Sequence, residues 1–301
     1  MDVAPPIAPR AAPDPGASRV VIIMRTQDRP EFLRRALTSV RAQTWTNWQV
    51  IVVNDGGNAA DVNAVIASAG LAADAIRVLH HAVPLGRAAA CNAAIRSSES
   101  EFITLLDDDD TWHPDFLRRC LGVLTALPAD GFERGVVTRT TEINEFWVNK
   151  TCREKRRLPF NADLDVVSLA DLAVENQFTI NAFVYRRNAL REVGLYDESL
   201  PVMEDWEFNV RFVAKFAVRV IPEYLAFYHR RRELKGGVMA NSDEDQHQQQ
   251  MVAIKNAWLR ADLASGCFGI GWLAATGKTR SERRLARMLN RILNFNWRRF
   301  F

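Results

Sequence analysis

In Phe102-Ile103-Thr104-Leu105-Leu106-Asp107-Asp108-Asp109-Asp110-Thr111-Trp112-His113-Pro114 an apolar strand runs straight into four carboxylates, then an aromatic residue, then a proline placed to open a helix. Adjacent anions at the end of a buried strand repel one another, and desolvation adds to the cost. A bound divalent cation removes that cost, because hard oxygen ligands suit Mg²⁺ or Mn²⁺. The alternative for such a cluster taken alone is an acidic surface loop.

The segments upstream repeat the pattern of apolar strand, polar loop and helix. Arg19 to Met24 is a strand of the kind a parallel sheet buries on both faces, and Arg25-Thr26-Gln27-Asp28-Arg29 is the loop after it. Pro30 then starts an amphipathic helix to about residue 43, with Phe32, Leu33, Ala36, Leu37 and Val40 on one face. Trp48 to Val53 is a second strand ending in Asn54-Asp55-Gly56-Gly57, which completes a right-handed β-α-β unit. Residues 60–69 read as a helix, Ala75 to Leu79 as a third strand, and Arg87 to Ser97 as an Ala-rich helix after the Pro84-Leu85-Gly86 turn. Phe102 to Leu106 is the fourth strand. Polar groups recur at strand C-terminal ends (Thr26, Asp55, Asp107 to Asp110), where open α/β sheets bind ligands. The fold class is therefore α/β, with a Rossmann-like nucleotide-binding half, although neither G-x-G-x-x-G nor a P-loop is present. Gly277-Lys278-Thr279 imitates the end of a Walker A motif, but Gly271 stands one residue too far away and the order along the chain is reversed.

Downstream, a helix from Phe116 to about Leu127 closes the first half. Gly135 to Thr140 is β-like, and Arg153-Glu154-Lys155-Arg156-Arg157 is a solvated basic loop or hairpin. Phe178 to Tyr185 reads as one strand, followed by a short helix ending at Gly194. Trp206, Val210 and Val213 mark a helix face, with Glu204 and Asp205 at its start. Those carboxylates either complement the helix dipole or present a general base to a cleft. Residues 243–263 form a helix, Ser265 to Gly277 a connector, and 280–301 a basic amphipathic helix with an aromatic end. That last segment suits an anionic membrane surface or packing against protein; nucleic acid is not expected, because no nucleic-acid module precedes it.

Composition sets bounds. The 301 residues can bury a large core, and a net charge of +3 is too small to imply nucleic acid. The four cysteines are far apart with no C-x-x-C pair, so neither a zinc site nor a disulfide framework is indicated and a reducing cytosol fits. Residues 1–17 read as a disordered leader, and no apolar run is long enough to cross a bilayer.

With these pieces in place, the chain resembles the family 2 inverting glycosyltransferases of GT-A fold from about Val20 to His229. The resemblance is carried by Ile22 to Pro30, Val52-Val53-Asn54-Asp55-Gly56, Gly86-Arg87 with Cys91-Asn92, Leu106 to Asp110 with Pro114, and Glu204-Asp205-Trp206. It implies a GT-A domain over 18–240 with a mixed central sheet. Within it, 18–115 would be the nucleotide-binding half and 116–240 the acceptor half, with 241–301 a helical extension. It implies that Asp55 reads the nucleotide base with Thr26 in the same pocket, and that Asp107 and Asp108 face the ribose and the donor sugar. Asp109 matches the metal-binding Asp of the D-x-D motif, Asp205 the catalytic base, and Arg87 a basic residue near the donor. His229 is either a metal or pyrophosphate contact or a packing residue, and Lys235-Gly236-Gly237 either a lid or a plain loop. The implied partners are a nucleotide-sugar donor and a glycan or lipid-linked acceptor, with Mg²⁺ or Mn²⁺ as cofactor. The implied location is the cytosol, peripheral to the inner face of the membrane through 280–301. Departures fall at Asn54, where a second acid is usual, at Cys91, where an Arg is usual, and at Gln27-Asp28, where Tyr-Asn is common. The alternatives are a sugar nucleotidyltransferase and a binding or assembly protein without turnover.

Overall fold

The computed structural model describes residues 20–148, 151–231, 234, 244–279, 281, 282 and 285. The expected leader, the Lys235-Gly236-Gly237 loop and nearly all of 280–301 lie outside them. The first half alternates as the sequence predicts: β1 (Val20–Thr26), α1 (Pro30–Arg41), β2 (Trp48–Asp55), α2 (Ala59–Ser68), β3 (Ile76–His81), α3 (Arg87–Arg96) and β4 (Phe102–Leu105). After β5 (Thr111–Trp112) and α4 (Phe116–Ala126) come the long β6 (Glu133–Val148) and β7 (Thr151–Pro159), then α5 (Leu169–Val174), β8 (Phe183–Arg186) and α6 (Leu190–Val193). The chain continues through α7 (Glu204–Val213), β9 (Ala217–Arg230), α8 (Glu244–Ser265) and α9 (Ile270–Thr276).

One mixed sheet holds these strands in the order β3-β2-β1-β4-β8-β6-β9-β5, with β7 added to β6. β1 lies between β2 and β4, parallel to both, and every one of its residues is buried. Ile23 is level with Leu105, which brings Arg25 to the height of Asp107 just beyond the strand end. The apolar stripe of α1 packs as its spacing requires, with Phe32, Leu33, Ala36, Leu37 and Val40 all buried. Behind β8 an aromatic cluster fills the core: Phe183 lies 5.1 Å from Phe212 edge-on, and Tyr185 lies 5.4 Å from Phe208.

Two expectations need correction, and one long strand has no counterpart in the sequence reading. Phe178 to Tyr185 is not one strand, because Ile180–Ala182 forms a 3₁₀ turn before β8. Buried Asn181 explains the break: its amide donates to the Phe227 carbonyl at 3.1 Å and it accepts from the Thr179 hydroxyl, bonds that compete with a strand ladder. The stretch around Pro222 is part of the 14-residue β9, whose register against β6 skips from Ile221 to Tyr224. The proline thus sits in a bulge, where a missing N–H does no harm. The expected connector 265–277 contains α9. A Cβ on Gly271 would stand 2.3 Å from the Leu259 backbone nitrogen, so this glycine serves close packing of α9 on α8 rather than flexibility.

The basic segment 153–157 is the hairpin partner of β6, with its arginines and lysine exposed. No described helix is long and apolar enough to cross a membrane. Replacing Phe212 by Ala empties the centre of the aromatic cluster and should lower stability by about 3–5 kcal/mol, measured as a reduced urea midpoint at constant m-value.

Candidate active site

A cleft of about 720 Å³ opens where β1, β2 and β4 end, within the size range of small-molecule sites. Thr26, Asp55, Arg87, Asp107, Asp109 and Asp205 all line it, so the fold brings together six of the eight residues expected from the sequence. Asp108 and His229 lie behind its wall. A second depression, at Glu101 and Arg186 to Arg191, is at the opposite end of β4 and away from the acidic stretch.

Each carboxylate has a definite partner. Arg25 grips both oxygens of Asp107 at 2.8 Å and reaches Glu204 Oε1 at 2.6 Å with its remaining nitrogen. Asp108 is 0% exposed and pairs with Arg29 at 2.5 Å. It was expected to face the donor sugar, but in the turn after β4 its side chain is turned inward to Arg29. Burial pushes its carboxyl up to about 7, against the pull of Arg29. Asp109 faces the cleft while one of its oxygens meets Arg29 and the fully buried Arg231. Burial would raise its pKa, but those two guanidiniums outweigh it and hold Asp109 at about 2. Asp110 accepts the His229 backbone N–H at 2.9 Å, and burial, then the Asp109 charge, raises its pKa well above the usual carboxylate range.

A network missed at the level of sequence backs this wall. Glu145 on β6 pairs with Arg35 on α1 and with His229 Nδ1 at 2.6 Å, and Arg231 lies 3.5 Å from it. His229 Nε2 is 2.8 Å from the Thr111 hydroxyl. The Phe32 ring lies under the guanidinium of Arg231 at 4.3 Å and beside that of Arg35 at 5.4 Å. The available signal was Arg25, Arg29 and Arg231 themselves: charged groups at strand ends beside a core must find counter-charges.

Asp55 lines the cleft and also builds it. Its oxygens accept the Leu85 and Gly86 backbone N–H groups at 2.8 and 2.9 Å, fixing the turn that enters α3, where Gly86 has φ +97°. Arg87 follows at the first position of α3, exposed at the mouth. Asn92 ties α3 to the chain at Tyr196 and Glu198 and is almost fully buried. Cys91 is wholly buried, and burial pushes its thiol up to about 12, so it is no nucleophile.

Asp205 enters from the opposite wall, in the first turn of α7. Met203 before it is left-handed at φ +68°, a conformation that non-glycine residues adopt only under constraint and that aims the helix start at the cleft. Asn176 donates to Asp205 Oδ2 at 3.3 Å. Burial first and the adjacent Glu204 charge second push Asp205 up to about 6, against the Trp206 backbone N–H and the charges of Arg25 and Arg87. His247 and Gln248 of α8 line the rim of the cleft. The helix is seated by Trp258, 5.1 Å from Trp206.

The expected divalent cation can be tested against these groups. Among the described residues no three Asp, Glu, His or Cys side chains converge to hold a metal by themselves. Asp107 is held by Arg25 and both His229 nitrogens are engaged, so His229 does not fit the ligand role. Asp109 does fit: it is a hard oxygen donor, kept ionised and facing the cleft. One carboxylate with substrate phosphates and water is an ordinary Mg²⁺ environment.

Comparison with known proteins identifies the family and the fold. The family model described as Glycosyl transferase family 2 matches residues 21–194, more than half of the 301-residue chain. The uncharacterized glycosyltransferase YwdF of Bacillus subtilis is 25% identical over 68% of this chain and 71% of its own length. Other curated relatives match over about a third of their own length. The structure of S. aureus TarS 1–349 in complex with UDP-GlcNAc superposes with a TM-score of 0.57 at 17% identity, over 76% of this chain and 64% of that one. The mannosyltransferase PcManGT of Pyrobaculum calidifontis, in complex with GDP-Man and Mn²⁺, gives 0.54 at 17% identity, over 96% and 85%. These likenesses establish the GT-A fold.

Removing Arg231 should expose what the buried network is worth. Arg231→Leu leaves Asp109 and Glu145 short of a counter-charge, and at pH 7 the cost should be about 3–5 kcal/mol. Arg231 is one of the charges that hold Asp109 at about 2 in the native state, so the stability gained there is present above its unfolded value and lost as pH falls towards 2. The gap between wild type and variant should therefore narrow in urea titrations below about pH 4.

Proposed function

This chain belongs to glycosyl transferase family 2, and we propose that it moves a sugar from a nucleoside diphosphate donor to an acceptor hydroxyl with inversion at the anomeric carbon. The observation that carries the proposal is the pairing, across one cleft, of an ionised Asp109 at the strand ends with an Asp205 whose pKa stands at about 6. A carboxylate of that basicity is mostly deprotonated at pH 7 yet accepts a proton more readily than an ordinary Asp.

The donor's nucleoside lies along Thr26 and Asp55, and its diphosphate lies between Asp109 and Arg87. Asp109 would hold a divalent cation there, Mg²⁺ or Mn²⁺, which would supply charge neutralisation on the departing diphosphate. Asp205 accepts the acceptor's hydroxyl proton as that oxygen bonds to the anomeric carbon and the bond to the diphosphate breaks. The products are the glycosylated acceptor and the nucleoside diphosphate, with no covalent enzyme intermediate. Phe160 and Tyr228 line the cleft with partly exposed rings, which suit a glycan or lipid-linked sugar acceptor in the half formed by 116–240. A sugar nucleotidyltransferase is less well supported: the loop after β1 offers no glycine cradle, and its Arg25 and Arg29 are already committed to carboxylates.

The test is a panel of UDP-, GDP- and dTDP-sugars with Mg²⁺, Mn²⁺ or EDTA, read first by thermal shift and then by transfer. Asp205→Asn should keep the donor-induced shift and lose roughly 10²–10⁴-fold in kcat. A non-catalytic binding protein would show no change. In the wild type kcat/KM should fall tenfold per pH unit below about 6, because the base must be deprotonated. The reading of 280–301 as a membrane-surface helix is a further part of this proposal, supported by its sequence. Deleting those residues should abolish binding to anionic vesicles while leaving the donor-induced shift in place.

A further inference from the structure

Arg25 occupies a position that the transfer mechanism does not use. It is 7% exposed, on β1 one residue before the strand ends at Thr26, and all three of its guanidinium nitrogens are engaged by acidic groups. Two of them hold Asp107, in the acidic stretch that faces the donor. The third holds Glu204, the residue immediately before Asp205. One side chain on β1 therefore links the donor wall to the start of α7, across 179 residues of sequence on the Glu204 side.

We propose that the Arg25–Glu204 pair is a positioning device for the base: it fixes the first turn of α7 against the strand ends and sets the charge that Asp205 experiences. This rests on the reading of Asp205 as the base. Glu204 is 2% exposed, and without Arg25 its buried side chain would lose the partner that holds it, so the α7 start, which the left-handed Met203 already keeps in a constrained geometry, would shift. The groups that face Asp205 are Glu204 on its own helix, Arg25 from β1, Arg87 from α3, Asn176 from the segment after α5, and Tyr228 from β9. Of the charged groups among these, Glu204 alone raises the basicity of Asp205, whereas Arg25 and Arg87 lower it. The pair thus contributes two opposed effects through one contact, and removing either member unbalances them in a known direction.

The experiment is a pH titration of the full chain carrying ¹³C-labelled aspartate carboxyls, with the Asp205 signal identified by its loss in Asp205→Asn. Glu204→Gln keeps an acceptor for Arg25 and removes the like charge, so the Asp205 midpoint should fall by roughly one pH unit, and the acid limb of kcat/KM should move with it. Arg25→Met should move both in the opposite direction. If Arg25→Met does not fold, Glu204→Gln alone decides. An unmoved midpoint in Glu204→Gln, or shifts of the same sign in both variants, overturns the proposal, since a merely structural pair would alter stability without opposed shifts. Absence of transfer by the wild type with every donor would instead overturn the transferase reading, and the carboxyl titration would still report the hold of the pair on Asp205.

Discussion

Four consecutive carboxylates at the end of a central strand must each find a counter-charge, a proton or water, and the rest of the site follows from how this fold meets that demand. Asp107 takes Arg25, Asp108 takes Arg29, and Asp109 shares Arg29 with Arg231, while Asp110 receives a backbone N–H and is biased towards its protonated form. The turn after β4 buries Asp108 and leaves Asp107, Asp109 and Asp110 lining the cleft, so the four residues have separate tasks. Repulsion that a cation alone was expected to relieve is largely relieved by arginines before any ligand arrives. What remains for a ligand is the outward side of Asp109.

The carboxylates were legible in the sequence because their density at a strand end is improbable without a role. Their partners were not, because Arg25, Arg29 and Arg231 reach them from the ends of β1 and β9, separated by 79 to 122 residues of chain. No local periodicity records such a pairing. His229 shows the same limit from the other side. A histidine near a metal-binding motif invites a ligand role, whereas its environment is decided by Glu145 and Thr111, on strands that sequence separation hides.

The first half of the fold was readable because buried parallel strands are continuous apolar runs and α1 has a clean helical stripe. The second half obeys the same physics with interruptions. β6 and β9 are long strands broken by bulges, one of which houses Pro222, and their alternation is lost where the register shifts. Asn181 turns an otherwise strand-like run into a 3₁₀ turn through side-chain bonds that depend on Phe227 being nearby. Each miss comes from a tertiary contact overriding a local preference.

The placement of Glu204 beside Asp205 explains how a carboxylate stays basic in a cleft that also holds arginines. Arg25 and Arg87 line the same space and both lower the basicity of Asp205. Burial and Glu204 oppose them and bring its pKa to about 6. Glu204 is held at 2% exposure by Arg25, and Arg25 is held there because Asp107 grips its other edge. The surroundings of Asp205 are thus tied by one guanidinium to the acidic stretch across the cleft. A rearrangement of Asp107 would therefore be felt beside Asp205.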